Sequence, residues 1–112
     1  MVEIKLKPIS VNELYVYIKG RRVLTKKGKT YKENVQWLCP KLTVPEGKLF
    51  MRIHFYFSSA GSDIDNCTKA FMDSIFEKLK INDNRVYKME LQKFIVKKGE
   101  EKIMFEISSF IE

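Results

Sequence analysis

The hydrophobic positions of this chain change period several times, and each change marks an element. Val2, Ile4 and Leu6 alternate with Glu3, Lys5 and Lys7, which predicts a short strand with one buried face, stopped by Pro8. Residues 10–29 hold no clean period. Leu14-Tyr15-Val16-Tyr17-Ile18 reads as extended, and Gly20 and Gly28 punctuate the stretch. Thr30 with Glu33 three positions later matches a capping box, and Tyr31, Val35 and Leu38 share one helical face. That helix should start at Thr30 and stop near Cys39-Pro40. After a turn at Pro45-Glu46-Gly47, Leu49, Met51, Ile53, Phe55 and Phe57 alternate with Phe50, Arg52, His54 and Tyr56. This is the longest and most apolar strand of the chain.

A second helix follows, with Cys67, Phe71, Ile75 and Leu79 at four-residue steps and Ala70 and Phe76 widening the stripe. Lys69, Asp73, Glu77 and Lys80 decorate its other side. Ile81-Asn82-Asp83-Asn84 is a turn-like cluster, and residues 85–96 read as a strand. Lys97-Lys98-Gly99-Glu100 then predicts a hairpin turn into a last strand that points Ile103, Phe105 and Ile107 inward. The order β-α-β-α-β-β predicts an α+β fold, a small mixed sheet of about four strands with two helices packed on it. Residues 1–112 are expected to form one domain.

Composition narrows the function. With 45% hydrophobic residues there is material for a core, which argues against disorder. Lys plus Arg number 21 against 14 Asp plus Glu, a formal charge of +7 that points to a polyanionic partner or an anionic membrane. Two cysteines without a CxxC exclude a disulfide framework and zinc ribbons, and a single histidine excludes His-rich metal sites. Any Ser-His-Asp or Cys-His site would have to use His54. No apolar run approaches the roughly 18 residues of a membrane span, and the first residues lack the apolar block of a signal peptide. The cytoplasm is the expected compartment, with no membrane partner.

The chemistry concentrates in Ser62-Asp63-Ile64-Asp65-Asn66-Cys67-Thr68-Lys69. In an extended chain Asp63 and Asp65 point the same way and present two carboxylates to one spot. Their repulsion is well offset by a hard divalent cation such as Mg²⁺. Lys69 lies one helical turn beyond Asp65, and Asp83 falls just after the same helix in a polar turn. Three carboxylates and a lysine around a metal suit phosphodiester cleavage, in which the metal activates water and the lysine offsets developing charge. The alternative on spacing alone is ordinary: Asp63 and Asp65 cap the following helix, and Lys69 and Asp73 form a surface pair. An EF-hand fails, because the loop would need Gly and Glu where Thr68 and Ser74 stand.

From Lys19 to Lys32 there is no acidic residue but seven cations, Lys19, Arg21, Arg22, Lys26, Lys27, Lys29 and Lys32, flanked or joined by Tyr15, Tyr17 and Tyr31. Such a stretch would grip DNA phosphates in a salt-sensitive, sequence-poor way, or stand as a solvated loop. His54 and Cys67 are expected to be structural, and Trp37 is expected to be a packing anchor.

The run Asp63-Ile64-Asp65-Asn66-Cys67-Thr68-Lys69, with Asp73 on the helix and Asn82-Asp83 after it, resembles the RusA family of Holliday-junction resolvases, often carried by phages and prophages. Ser10-Val11-Asn12-Glu13-Leu14-Tyr15 is similar to that family's S-x-N-x-x-Y opening, and residues 21–31 to its basic loop. The resemblance implies a homodimeric, Mg²⁺-dependent endonuclease, with Mn²⁺ as an alternative metal, that binds four-way branched DNA and nicks two opposed strands in recombination and repair. It implies Asp63, Asp65 and Asp83 as metal ligands and Lys69 as the essential lysine. Asn12, Lys19, Arg21, Arg22, Lys26, Lys27, Lys29 and Lys32 would contact DNA. Two departures stand out: the family's arginines before the first aspartate are replaced by neutral Ser58-Ser59-Ala60-Gly61-Ser62, and its acidic pair after the helix is reduced to Asn82-Asp83. Competing readings are a catalytically silent nucleic-acid binder and a metal-dependent nuclease acting on flaps or other branched substrates.

Overall fold

A computed structural model describes all 112 residues, Met1–Glu112. Along the chain lie β1 (Val2–Ile4), α1 (Val11–Leu14), β2 (Tyr15–Ile18), β3 (Arg21–Leu24) and α2 (Lys26–Leu38). Next come β4 (Leu49–Phe57), α3 (Ile64–Leu79), a 3₁₀ turn (Asp83–Arg85), β5 (Val86–Ile95) and β6 (Lys102–Ser109). This is the expected α+β fold. β1, β6, β4 and β5 form one four-stranded sheet in that order, and β2 and β3 form a separate hairpin.

The sheet is organised around β4, whose alternate residues Leu49, Met51, Ile53, Phe55 and Phe57 are all buried. β5 pairs with one edge of β4 in parallel and β6 with the other edge antiparallel. The two final strands therefore do not form the predicted hairpin. The amide of Val96 donates to the carbonyl of Phe57 at 2.7 Å, prolonging the β4–β5 ladder, and the chain then turns through Gly99 to the far side of β4. The central, most apolar strand thereby satisfies both of its edges. Periodicity reports faces and not neighbours, so the pairing was not readable from it.

The stripe of α3 buries Cys67, Ala70, Phe71, Ile75 and Phe76 against this face, and Tyr31 and Val35 of α2 complete a core of 17 residues. The other face of the sheet is half-open and polar at its centre, where Arg52 lies 3.0 Å from Glu90 and 2.9 Å from Glu106. His54 stands there edge-on to Phe94 at 5.4 Å. No helix is long and apolar enough to cross a membrane.

Further expectations are corrected around α2. α2 starts at Lys26, not Thr30, because Thr25 caps it by accepting from the Gly28 amide at 2.8 Å. The capping box instead belongs to α1, where Ser10 and Glu13 reciprocate. Gly28 is therefore no break. It lies inside α2, and a Cβ there would meet the Leu14 carbonyl oxygen at 2.3 Å, so α1 can approach only glycine. Trp37 is not an anchor, being 87% exposed on the outer face of α2.

Candidate metal and nucleic-acid site

β4 ends at Phe57, and residues 58–62 lead to Asp63, the N-cap of α3. Asp63 has an extended backbone, φ −100° and ψ 119°, whereas Asp65 is already in the first helical turn. The two carboxylates thus do not sit on one extended segment as the spacing suggested. One oxygen of Asp63 accepts from the Asp65 amide at 2.9 Å and the other from the Asn66 side-chain amide at 3.2 Å. Asp63 does cap the helix, and each oxygen keeps a further lone pair for another partner. Both aspartates are exposed. The positive end of the α3 dipole offsets part of their mutual repulsion. Just inside the helix, burial pushes the Cys67 thiol up to about 11, with the Asp63 and Glu13 charges adding to it. Cys67 is core, as expected.

Lys69 is exposed one turn beyond Asp65 and makes no ion pair, so the alternative surface pair with Asp73 does not form. Asp73 instead accepts from the Tyr15 hydroxyl at 3.5 Å. Asp83 lies elsewhere. It is exposed and opens the 3₁₀ turn beyond the C-terminus of α3, leading into Val86, which pairs with Leu49 at the start of β4. Asp63 follows the opposite end of β4, and the 16 residues of α3 span about 24 Å between the two places. Within one chain no three Asp, Glu, His or Cys side chains converge to hold a metal ion.

The basic residues separate into free and engaged groups. Lys19, Arg21 and Arg22 are exposed on the β2–β3 hairpin, and Lys26 and Lys29 are exposed in the first turns of α2. Lys27 pairs with Glu13. Lys32 is mostly buried, lies 2.8 Å from Glu77 and donates to the Tyr15 hydroxyl at 3.4 Å. Burial pulls the Lys32 ammonium down, but these partners outweigh it and hold it above its ordinary value. Asn12 is exposed on α1, its amide donating to the Ser10 hydroxyl at 3.2 Å.

Sequence reasoning missed Lys93. On β5 it shares the helix-side face with Met89 and Leu91 and is in register with buried Phe55. Its ammonium donates to the carbonyls of Ala60 and Ser62 at 3.0 and 3.1 Å. A cation from a neighbouring strand thus holds the neutral segment that precedes Asp63. The signal was a charge at an inward position of a strand, visible once Met89 and Leu91 are assigned to one face.

The model of the family described as endodeoxyribonuclease RusA matches residues 6–107. That span includes the capping box of α1, the basic hairpin, the paired aspartates, β4, β5 and most of β6. The chain belongs to the RusA endodeoxyribonuclease family. Membership fixes the class of activity as DNA phosphodiester cleavage. No curated protein matches the chain significantly.

Proposed function

We propose that this RusA-family protein is a divalent-metal-dependent resolvase that acts as a homodimer on four-way DNA junctions in recombination and repair. The observation that carries the reading is the D-x-D-N-x-x-K run at the exposed N-terminus of α3, inside a family match over residues 6–107. The donor set fits a hard cation that keeps some of its waters, since Asp63 and Asp65 offer free carboxylate lone pairs to solvent. Asp63 and Asp65 of one chain would hold Mg²⁺ or Mn²⁺, which when bound supplies charge stabilisation and an activated water. Lys69, exposed beside them, would neutralise negative charge on the phosphate being cut.

Asp83 enters this reading only through a second copy, because α3 keeps it about 24 Å from Asp63 of its own chain. β5 is one of the two edge strands of the sheet, the other being the short β1, and Tyr87, Leu91 and Ile95 are exposed along it. Two such edges paired antiparallel about a two-fold axis would set the start of one β5, with Asp83, beside the end of the other, near Asp63. Each of the two sites would then draw carboxylates from both chains, and the two-fold would place them to nick opposed strands.

Subunit mixing tests this. Asp63→Asn and Asp83→Asn proteins should each be inactive on labelled four-way junctions with Mg²⁺, and Mg²⁺-free binding should be retained. Mixed after co-refolding, half of the dimers carry both substitutions in one site and neither in the other. Site occupancy about a two-fold axis then restores about a quarter of the cleavage, as single nicks. If the mixture stays inactive while dimers form, Asp83 does not act across the interface. Full activity of Asp63→Asn would remove the metal site altogether.

A further inference from the structure

The β2–β3 hairpin is built against the usual economy of a soluble protein. Of its eight strand residues only Tyr15 is even half-buried, yet six of the eight are large and apolar or aromatic. Tyr17 is 76% exposed and Ile18 53%, both next to the tip. Cross-strand register pairs Tyr17 with Arg22 and Ile18 with Arg21, so both side chains next to the tip have a cation opposite them on the same face. Lys19 adds a third positive charge at the turn. No acidic residue lies between Glu13 and Glu33.

The hairpin has a tight turn and an anchored base. Lys19 and Gly20 take φ of 50° and 77°, the pair of positive values that a tight two-residue turn needs to match strand twist. At the base, the Arg22 guanidinium lies 4.0 Å from the Tyr15 ring centroid, and the Thr25 hydroxyl donates to the carbonyls of Glu13 and Leu14. Leu14 is fully buried and pressed onto Gly28. The hairpin is thus gripped where it leaves the body and unpacked where it ends.

We infer that the β2–β3 hairpin is a wedge that enters a DNA branch point, Tyr17 and Ile18 meeting unstacked base faces while Lys19 and Arg21 hold the flanking phosphates. Simple contact with a duplex backbone needs the cations and gives no use for Tyr17 or Ile18. A branch point differs from a duplex in offering base faces between converging backbones, and apolar side chains inserted between base steps with cations on the phosphates are the chemistry that reads such a place. The inference rests on the junction reading above and assigns its shape selectivity to two residues of the hairpin tip and not to the carboxylates.

The test compares a four-way junction carrying 2-aminopurine at the branch, the same label within an arm, and a matched linear duplex, all without Mg²⁺. Wild-type protein should raise the branch-point signal alone and prefer junction to duplex. Tyr17→Ala with Ile18→Ala should abolish the signal and cut the preference at least tenfold, leaving duplex affinity within twofold. Tyr17→Phe should keep both. Because these side chains are exposed, circular dichroism and the melting midpoint should not move. A double variant that still prefers junctions like wild type overturns the wedge and leaves the resolvase reading intact. A wild type that binds junction and duplex alike overturns both. A double variant that loses the dimer in sedimentation makes the hairpin an interface between copies, and the wedge fails.

Discussion

β4 and the β2–β3 hairpin are both apolar strands, and the molecule treats them in opposite ways. Every second residue of β4 is buried, both its edges are hydrogen-bonded, and Phe55 stacks with Phe57 and meets Phe71 edge-on, at centroid distances of 5.8 and 6.4 Å. None of the hairpin strand residues is buried, and neither of its outer edges carries a further strand. Apolar side chains in β4 are explained by the core they form. Those at the hairpin tip contribute nothing comparable to folding, so their explanation lies outside the chain, in what the hairpin meets. Two strands with similar residue types therefore do different things for the fold: one builds the core, and the other leaves its apolar side chains in solvent.

The widest separation between the regions should appear in core truncation. Phe55→Ala removes a fully buried ring and leaves a cavity under α3, at a cost of about 3–5 kcal/mol. Tyr17→Ala should stay within about 0.5 kcal/mol of wild type, as exposed substitutions do. Urea unfolding midpoints at constant slope check both. Similar losses at the two sites would mean that the hairpin is packed in solution and the contrast is false.

A smaller effect should come from the joint between them. A Cβ on Gly28 would lie 2.3 Å from the Leu14 carbonyl oxygen and 2.9 Å from its Cα, and backbone cannot yield as a side-chain end can. Gly28→Ala should cost about 1–3 kcal/mol by overpacking, although alanine is the better helix former by about 1 kcal/mol. The same denaturation series measures it. Stabilisation by Gly28→Ala would show that α1 and the hairpin are not seated on α2.

How far the sequence disclosed this arrangement depends on what kind of interaction decided each part. The faces of β4, β6 and α3 were legible because burial imprints a period on the residues. Which strands neighbour one another was not, since β5 and β6 keep the same faces whether they pair or flank β4. The region around α1 and the hairpin was illegible for a different reason. It is held by Gly28, by Thr25 and by the polar contacts of Tyr15 and Lys32, and none of these has a period. The aspartate run was visible as a motif, but its geometry was misjudged. Asp63 alone is extended, and Asp83 is carried to the far end of α3 by the very helix that seemed to bring it near.

The smallest predicted effect concerns the polar half of that joint and depends on pH. Lys32, nearly buried, bridges Glu77 of α3 and the Tyr15 hydroxyl at the hairpin base. The hydrogen bond from Lys32 holds the Glu77 carboxyl below its ordinary 4.5, and the one from Lys27 does the same for Glu13 of α1. Native protein therefore binds fewer protons than unfolded protein as these groups titrate, and the stability they contribute is present above pH 4.5 and lost as pH falls through their native values. For Lys32 the sign reverses: its native value is raised, so its contribution is intact below 10.5 and lost as pH rises through the native value. The Glu77 side chain is 60% exposed, so solvent screening keeps the effect small. Glu77→Gln should flatten the urea midpoint measured from about pH 5 down to pH 3, and the change should weaken in high salt. Since the pair ties the hairpin base to α3, amide exchange should quicken in β2 and β3 before it does in β4. If acid loosens β4 and the hairpin together, the two regions open as one unit, and the contrast between them ends at their surfaces.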